Sequence, residues 1–250
     1  MSLQDQRRLY DDLAWTWPII SAKEHYVHEA ETFVAALRAH ARREVKTLLH
    51  LGCGGGHLDY TLKAHLAVTG VDLSEAMLSL ARQLNPEATY LAGDVRTVRL
   101  GRTFDAVMVA DSIDYMLTEE DLRAAFATAF AHLKPGGAFC TYAEETADSF
   151  QQNRTRCSIR SYGDVEIVFV ENAYDPNPAD TTYENVFVYL IRRGGRLQIE
   201  TDRHLGGLFP VATWVRLLGE AGFQVTQLAF DDEESMPWFS GVKPDNGGAR

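Results

Sequence analysis

The chain is short of positive charge: 24 Lys and Arg stand against 35 Asp and Glu in 250 residues, a formal net charge of −11. That balance excludes a protein that grips a nucleic-acid backbone electrostatically. Long apolar runs are missing too. The longest, Val186 to Ile191, has six residues, against the roughly 20 an apolar helix needs to cross a bilayer, so no membrane partner is expected. Cysteine is scarce: Cys53, Cys140 and Cys157 are far apart and never in a C-x-x-C pair, which argues against a disulfide framework or a zinc knuckle. No His/Asp/Glu pair stands at ligand spacing in a clear context, so no metal is expected. The opening MSLQDQRRLYDD carries charge where a signal peptide needs an apolar stretch, and with reduced thiols this points to a cytoplasmic protein. There is no repeat or low-complexity tract, and 46% hydrophobic with 24% charged residues describes a globular chain with one substantial core.

What is present falls into two patterns. Up to about residue 145, strands and helices alternate. An amphipathic segment containing Phe33, Val34 and Leu37 leads to a strand at 46–51, a helix at 57–65, a strand at 67–72 and a helix at 74–84 that Ser74 caps. Strands at 89–92, 104–110 and 138–142 follow, with a helix at 118–133 opened by Thr118 and Asp121 in capping-box spacing. Such alternation predicts a doubly wound, mostly parallel sheet covered by helices. From Ser161 to Leu208 the pattern is strand after strand, at 165–171, 183–192 and 196–204, with a hairpin signal at Gly194-Gly195 and a loop at Asp175-Pro176-Asn177-Pro178. A helix from Pro210 to Glu220 and strands at 223–230 and 237–242 close the chain. The expected division is an N-terminal helical cover (1–45), an α/β domain (46–144 and 209–243) interrupted by an antiparallel β insertion (145–208) that serves as lid or dimer surface, and a flexible tail (244–250).

The strongest chemical signal is Leu51-Gly52-Cys53-Gly54-Gly55-Gly56-His57, glycines where a buried strand turns into a helix. Glycine permits left-handed backbone angles and close approach to a ligand, and the helix start offers free N–H groups. In an open α/β sheet the ligand crevice lies at the carboxyl ends of the strands. Asp72 and Asp94, each closing a predicted strand, should therefore point into it, and Asp72 lies 20 residues after Gly52, the spacing of a ribose-binding acid. A dinucleotide pattern G-x-G-x-x-G would need glycine at position 57, which is His57.

Gly52, Gly54 and Gly56 instead form G-x-G-x-G, and here the chain resembles the class I S-adenosylmethionine-dependent methyltransferases. VTGVDLSEAMLSLAR at 68–82 is similar to that family's ribose-binding segment, YLAGDVRTV at 90–98 to its adenine-binding segment, and LKPGGAF at 133–139 to the turn before its fifth strand. The resemblance implies a seven-stranded Rossmann-like fold and S-adenosylmethionine as cofactor, with S-adenosylhomocysteine as product. It implies that Gly52, Gly54 and Gly56 pack under the methionine portion, Asp72 binds the ribose hydroxyls and Asp94 the adenine amino group. Leu73 and Met77 would flank the adenine, and Val95 with Ala110, Asp111 and Ser112 would complete the wall, while Cys53 occupies the loop's variable position as a packing residue. One departure stands out: the family usually has Asp or Glu two residues before the first glycine, and this chain has His50.

Methyl transfer needs an acceptor held in line with the activated methyl and left with a lone pair. A base helps when the acceptor must lose a proton. His204, in TDRHLGGLF, is the histidine expected nearest the methyl group, and Tyr115, after the fourth strand, the second catalytic candidate. Tyr10 to Tyr26, with Trp15, Trp17 and Pro18, resembles the cover that small-molecule members fold over the site. The reading is an enzyme transferring a methyl group to N or O of a small molecule, as monomer or homodimer. A non-catalytic cofactor-binding regulator, for which His50 speaks, and an NAD(P)-dependent oxidoreductase, which His57 opposes, are the other readings.

Overall fold

Alternation decides which face of each central strand meets which helix. In β1 (Thr47–Leu51), Leu49 and Leu51 join one buried cluster and Leu48 joins another, as period-two side chains must. The structure, a computed structural model, describes residues 5–228 and 236–245. Ahead of β1 come 3-10 turns at Arg8–Tyr10 and Ala14–Thr16, a short α1 (Trp17–Ile20), a third turn at Lys23–Tyr26 and α2 (Val27–His40). After it run α3 (His57–Leu62), β2 (Ala67–Asp72), α4 (Glu75–Leu84), β3 (Thr89–Ala92), β4 (Phe104–Val109), a 3-10 turn at Asp111–Tyr115, α5 (Glu119–His132) and β5 (Leu133–Tyr142). Then follow β6 (Arg154–Tyr162), β7 (Val165–Tyr174), β8 (Thr182–Arg193), β9 (Arg196–Gly207), α6 (Val211–Glu220), β10 (Gln224–Leu228) and β11 (Trp238–Val242).

The first sheet has seven strands in the order β10-β11-β5-β4-β1-β2-β3, parallel except for β11. One face packs Val107, Val109 and Phe139 against Phe126 and Trp214 of α5 and α6; the other packs Leu48, Met108 and Cys140 against Phe33, Leu37 and Leu58 of α2 and α3. This is the doubly wound architecture read from the alternation. Both predicted caps are made: Ser74 accepts from the Met77 N–H at 3.1 Å and Thr118 from the Asp121 N–H at 3.1 Å.

The second sheet is antiparallel, order β6-β7-β8-β9, one strand more than the sequence pattern showed. In β6, Arg154, Arg156, Ser158 and Arg160 alternate with residues that are themselves largely exposed, and an edge strand so polar carries no hydrophobic period. The N-terminal cover also differs from a run of helix: its first described residues make tight turns whose Leu9, Leu13 and Ala14 join Met77 and the inner face of the second sheet, Ile167, Phe169, Phe187 and Tyr189, in one cluster. The expected turn at 133–137 is a bulged strand entry, since Leu133 pairs with Phe104 before the register shifts to Ala138 opposite Ala106. Residues 229–230 of the strand expected at 223–230, and 246–250 of the tail, lie outside the described residues.

Candidate functional site

The glycine loop is shaped by what crowds it. Gly52 has φ 71°, and a Cβ there would lie 1.8 Å from the Ser112 Oγ, so only glycine lets the end of β1 pass beneath the turn after β4. Gly54, at φ 51°, faces open space and donates its N–H to Asp72 Oδ2 at 2.7 Å. Asp72 Oδ1 accepts from the Ser74 N–H at 2.8 Å. Burial pushes the Asp72 carboxyl above its ordinary value while these two N–H groups pull the other way.

Beside this loop, at the carboxyl ends of β1, β2 and β4, lies a cavity of about 410 Å³, a size that suits a small ligand. Gly52, Cys53, Gly54, Asp72, Leu73, Met77, Asp94, Val95, Ala110, Asp111, Ser112 and Tyr115 all line it. Gly56 does not; it caps α3 from below with φ 74°. Leu73 is 70% exposed at the rim, whereas Met77 is fully buried. Asp94 is less free than the sequence reading made it: Arg96 holds it by Nη2 at 2.6 Å, by Nε and by its own N–H, and also reaches Asp121 at 2.7 Å. The Arg96 guanidinium keeps the Asp94 carboxyl below its ordinary range. Burial drives the Cys53 thiol well up, so it is a packing group and not a thiolate. His57 also lines the cavity, stacked on Trp17 with ring centroids 5.8 Å apart, and burial lowers it to about 4, leaving it neutral.

Behind Asp111, which lines the cavity, further carboxyls gather. Tyr142 hydrogen-bonds both Asp111 and, at 2.9 Å, Glu29. One hydroxyl proton cannot serve two carboxylates, so one of the pair carries a proton. Burial, with Asp111 beside it, pushes Glu29 up to about 8, and burial raises Asp111 as well. Asp114 and Glu144 are shifted upward by burial too, Glu144 to about 7. The cluster behind Asp111 is acidic yet partly neutralised by its own protons.

His204, expected nearest the cavity, is instead one residue behind its wall. It is 2% exposed, its Nε2 meets Asp202 Oδ2 at 2.7 Å and its Nδ1 the Tyr115 hydroxyl at 2.6 Å. The Tyr115 hydroxyl in turn meets that of Tyr10 at 2.8 Å, and both tyrosines line the cavity. A carboxylate only accepts, so Nε2 carries the imidazole hydrogen, Nδ1 accepts from Tyr115, and Tyr10 donates to Tyr115. Tyr10 thereby presents an oxygen lone pair to the cavity. Asp202 also accepts the Leu9 N–H at 2.7 Å. Burial would raise it, but the bond to and charge of His204 together with the backbone N–H groups bring its carboxyl below the ordinary value. The sequence reading missed Asp202; its signal was there, because residues two apart in a strand share a face. Arg7 and Arg96 in the lining and Asp59 beneath it were also missed, and no spacing rule points to them.

Residues 48–137 match the methyltransferase domain family. The chain is 41% identical over 114 residues, 45% of this chain and 48% of the relative, to dTDP-3-amino-3,4,6-trideoxy-alpha-D-glucopyranose N,N-dimethyltransferase of Streptomyces venezuelae. It is 37% identical over 114 residues, 45% and 44%, to dTDP-3-amino-3,6-dideoxy-alpha-D-glucopyranose N,N-dimethyltransferase of Streptomyces fradiae. The match thus spans about half the length of these curated relatives. Among solved structures, Streptomyces venezuelae DesVI superposes with a TM-score of 0.82 at 26% identity, covering 96% of this chain and all of that one. The sugar N-methyltransferase KedS8 from Streptoalloteichus shares the fold, with a TM-score of 0.82 at 22% identity over 94% and 92%.

Proposed function

We propose, from the match of residues 48–137 to the methyltransferase domain family, that the protein is a class I S-adenosylmethionine-dependent methyltransferase that methylates an amine nitrogen of a small, nucleotide-linked amino sugar. The observation that carries the reading is the hydrogen-bonded line Asp202–His204–Tyr115–Tyr10, which ends on the cavity wall beside the glycine loop. The curated relatives named above, which act on amino sugars by their names, support the acceptor class. So does Asp111 in the lining, with the acidic cluster behind it, which favours a cation.

The cavity fits the cofactor of the family: Gly54 leaves open space above the loop, and Asp72 keeps lone pairs beyond its two N–H bonds for a pair of hydroxyls. Gly52, Gly54 and Asp72 would hold S-adenosylmethionine, with Leu73, Met77 and Val95 around its base. Asp94 would stand at the far end of that base, steadied by Arg96. When bound, the cofactor supplies a methyl group already activated by its sulfonium. The protein's own work is to position the amine and remove a proton from it. Tyr10 accepts an N–H from the acceptor and passes its own hydrogen to Tyr115. Tyr115 gives its hydrogen to His204 Nδ1, and Asp202 stabilises the imidazolium. The aromatic cover of Tyr10, Trp17 and Tyr26 excludes water from the site.

The unpaired thiols of Cys53, Cys140 and Cys157 favour a cytoplasmic setting, and the outward face of the second sheet favours a homodimer. The test is calorimetric titration with S-adenosylmethionine and S-adenosylhomocysteine, followed by a methyl-transfer assay on a dTDP-linked 3-amino-3,6-dideoxyhexose. Binding of both ligands, weakened at least tenfold in Asp72→Ala, with turnover that falls at least a hundredfold in Tyr115→Phe, is the expected result. A folded protein that binds neither ligand overturns the reading.

A further inference from the structure

His50 stands where the family has an acid, and the structure puts an acid behind it. His50 is 1% exposed, lines the cavity and sets its Nδ1 2.7 Å from Asp59 Oδ1. Asp59, on α3, is fully buried; its other oxygen accepts the Tyr90 hydroxyl at 2.9 Å. Asn85 donates both to that hydroxyl, at 3.0 Å, and to the Gly56 carbonyl, at 2.8 Å. The carboxylate is thus anchored to the glycine loop itself. Because Asp59 can only accept, Nδ1 of His50 carries a hydrogen, so the tautomer this pairing selects is the one with its lone pair on Nε2. That Nε2 is buried, and among the described residues no hydrogen-bonding partner reaches it.

We propose that the missing strand acid has been displaced to α3, and that Asp59 acts through His50, whose Nε2 accepts a hydrogen bond from the ammonium of an amino-acid-bearing adenosine ligand. The inference rests on the methyltransferase reading and names the group that grips the ligand's amino-acid end. His50 is the binding residue and Asp59 the positioning residue: it sets the tautomer and supplies the negative potential felt at Nε2. Other charged groups act on the same spot, since Asp72 and Asp111 both lie within electrostatic reach of His50. They favour a cation there as well.

The test compares two ligands in each protein, so that a variant's folded fraction cancels. The ligands are S-adenosylhomocysteine and its analogue with hydroxyl in place of the amino group, titrated by calorimetry. The unmodified protein should prefer the amine by at least tenfold. Asp59→Asn presents an N–H to His50 Nδ1, moves the imidazole hydrogen to Nε2 and should lower the preference about tenfold with little change for the hydroxyl analogue. His50→Phe combined with Asp59→Leu removes both polar groups without stranding a charge and should do the same. Equal affinity for the two ligands in the unmodified protein, or a preference unchanged in both variants, overturns the proposal. If the unmodified protein binds neither ligand, the methyltransferase reading itself falls, an outcome distinct from binding both equally.

Discussion

Glu29 illustrates how a single residue couples the site to pH. Its folded value is raised from 4.5 to about 8 by burial and by Asp111, so between roughly pH 5 and 8 the folded chain holds a proton that the unfolded chain has released. The stabilising contribution is complete at acid pH and is lost as pH rises through 8. Glu29→Gln keeps a hydrogen-bonding partner for Tyr142 and cannot ionise, so its melting curve should fall less steeply over that window. At pH 8.5 the variant should be the more stable by about 1–2 kcal/mol, a figure discounted for the residue's partial exposure; a variant that loses stability in parallel with the parent shows that Glu29 is not the titrating group. Asp202 is the residue to alter for the relay. Both of its oxygens accept backbone N–H groups, from Leu9 and Arg203, so Asp202→Asn turns an N–H against one donor and removes the charge that stabilises the imidazolium. Turnover should fall about a hundredfold or more, with S-adenosylhomocysteine affinity within twofold, as measured by initial rates beside calorimetry.

At the scale of elements, Ser74 joins two pieces of structure. Its hydroxyl accepts the Met77 N–H at the start of α4 and donates to the carbonyl of Tyr10 in the N-terminal cover. Ser74→Ala should cost about 1–2 kcal/mol, the cap and the tie together, or about 2–8 °C of melting temperature for a chain this long. It should also lower turnover, since the relay ends on Tyr10; unchanged turnover with a lowered melting point leaves only the cap. The cap was legible because N-terminal capping is local chemistry, set by residues 74 and 77. So were the strands before and after the glycine loop, whose apolar runs and period announce them. Two things were not. β6 hid because its arginines and Ser158 face one side while Ile159 and Cys157 on the other meet solvent, so no buried face imposed alternation. The His50–Asp59 pair and the Tyr115–His204 bond hid because the first joins a strand to a helix and the second spans 89 residues. Sequence spacing records neighbours along an element, not partners that the fold brings together.

For the whole molecule, the second sheet has one face with a known occupant and one without. The inner face is covered by Leu9, Leu13 and Ala14 of the cover. The outer face carries an apolar row across all four strands, Ile159–Val168–Leu190–Ile199, and beside it Cys157–Val170–Val188. Ile159 is 71% exposed and Ile199 59%. Polar residues bound the patch, with Arg203 paired to Glu184 at 3.3 Å and Glu166 opposite Arg192. Four strands of 9–12 residues make a face of roughly 600–700 Å². That is close to the ~800 Å² each partner contributes to a standard interface. An apolar centre with a polar rim on a nearly flat sheet suits a second copy of itself related by a twofold axis. Light scattering should therefore give twice 27.9 kDa. Leu190→Asp, which sets two carboxylates into the middle of the joined faces, should return the mass to that of one chain without unfolding the first sheet. Because the cover and its Tyr10 pack on the inner face of the same sheet, losing the partner should also loosen the relay and lower turnover several-fold. A parent protein of single-chain mass at micromolar concentration sinks the dimer, and a monomeric variant with full turnover breaks its link to the site.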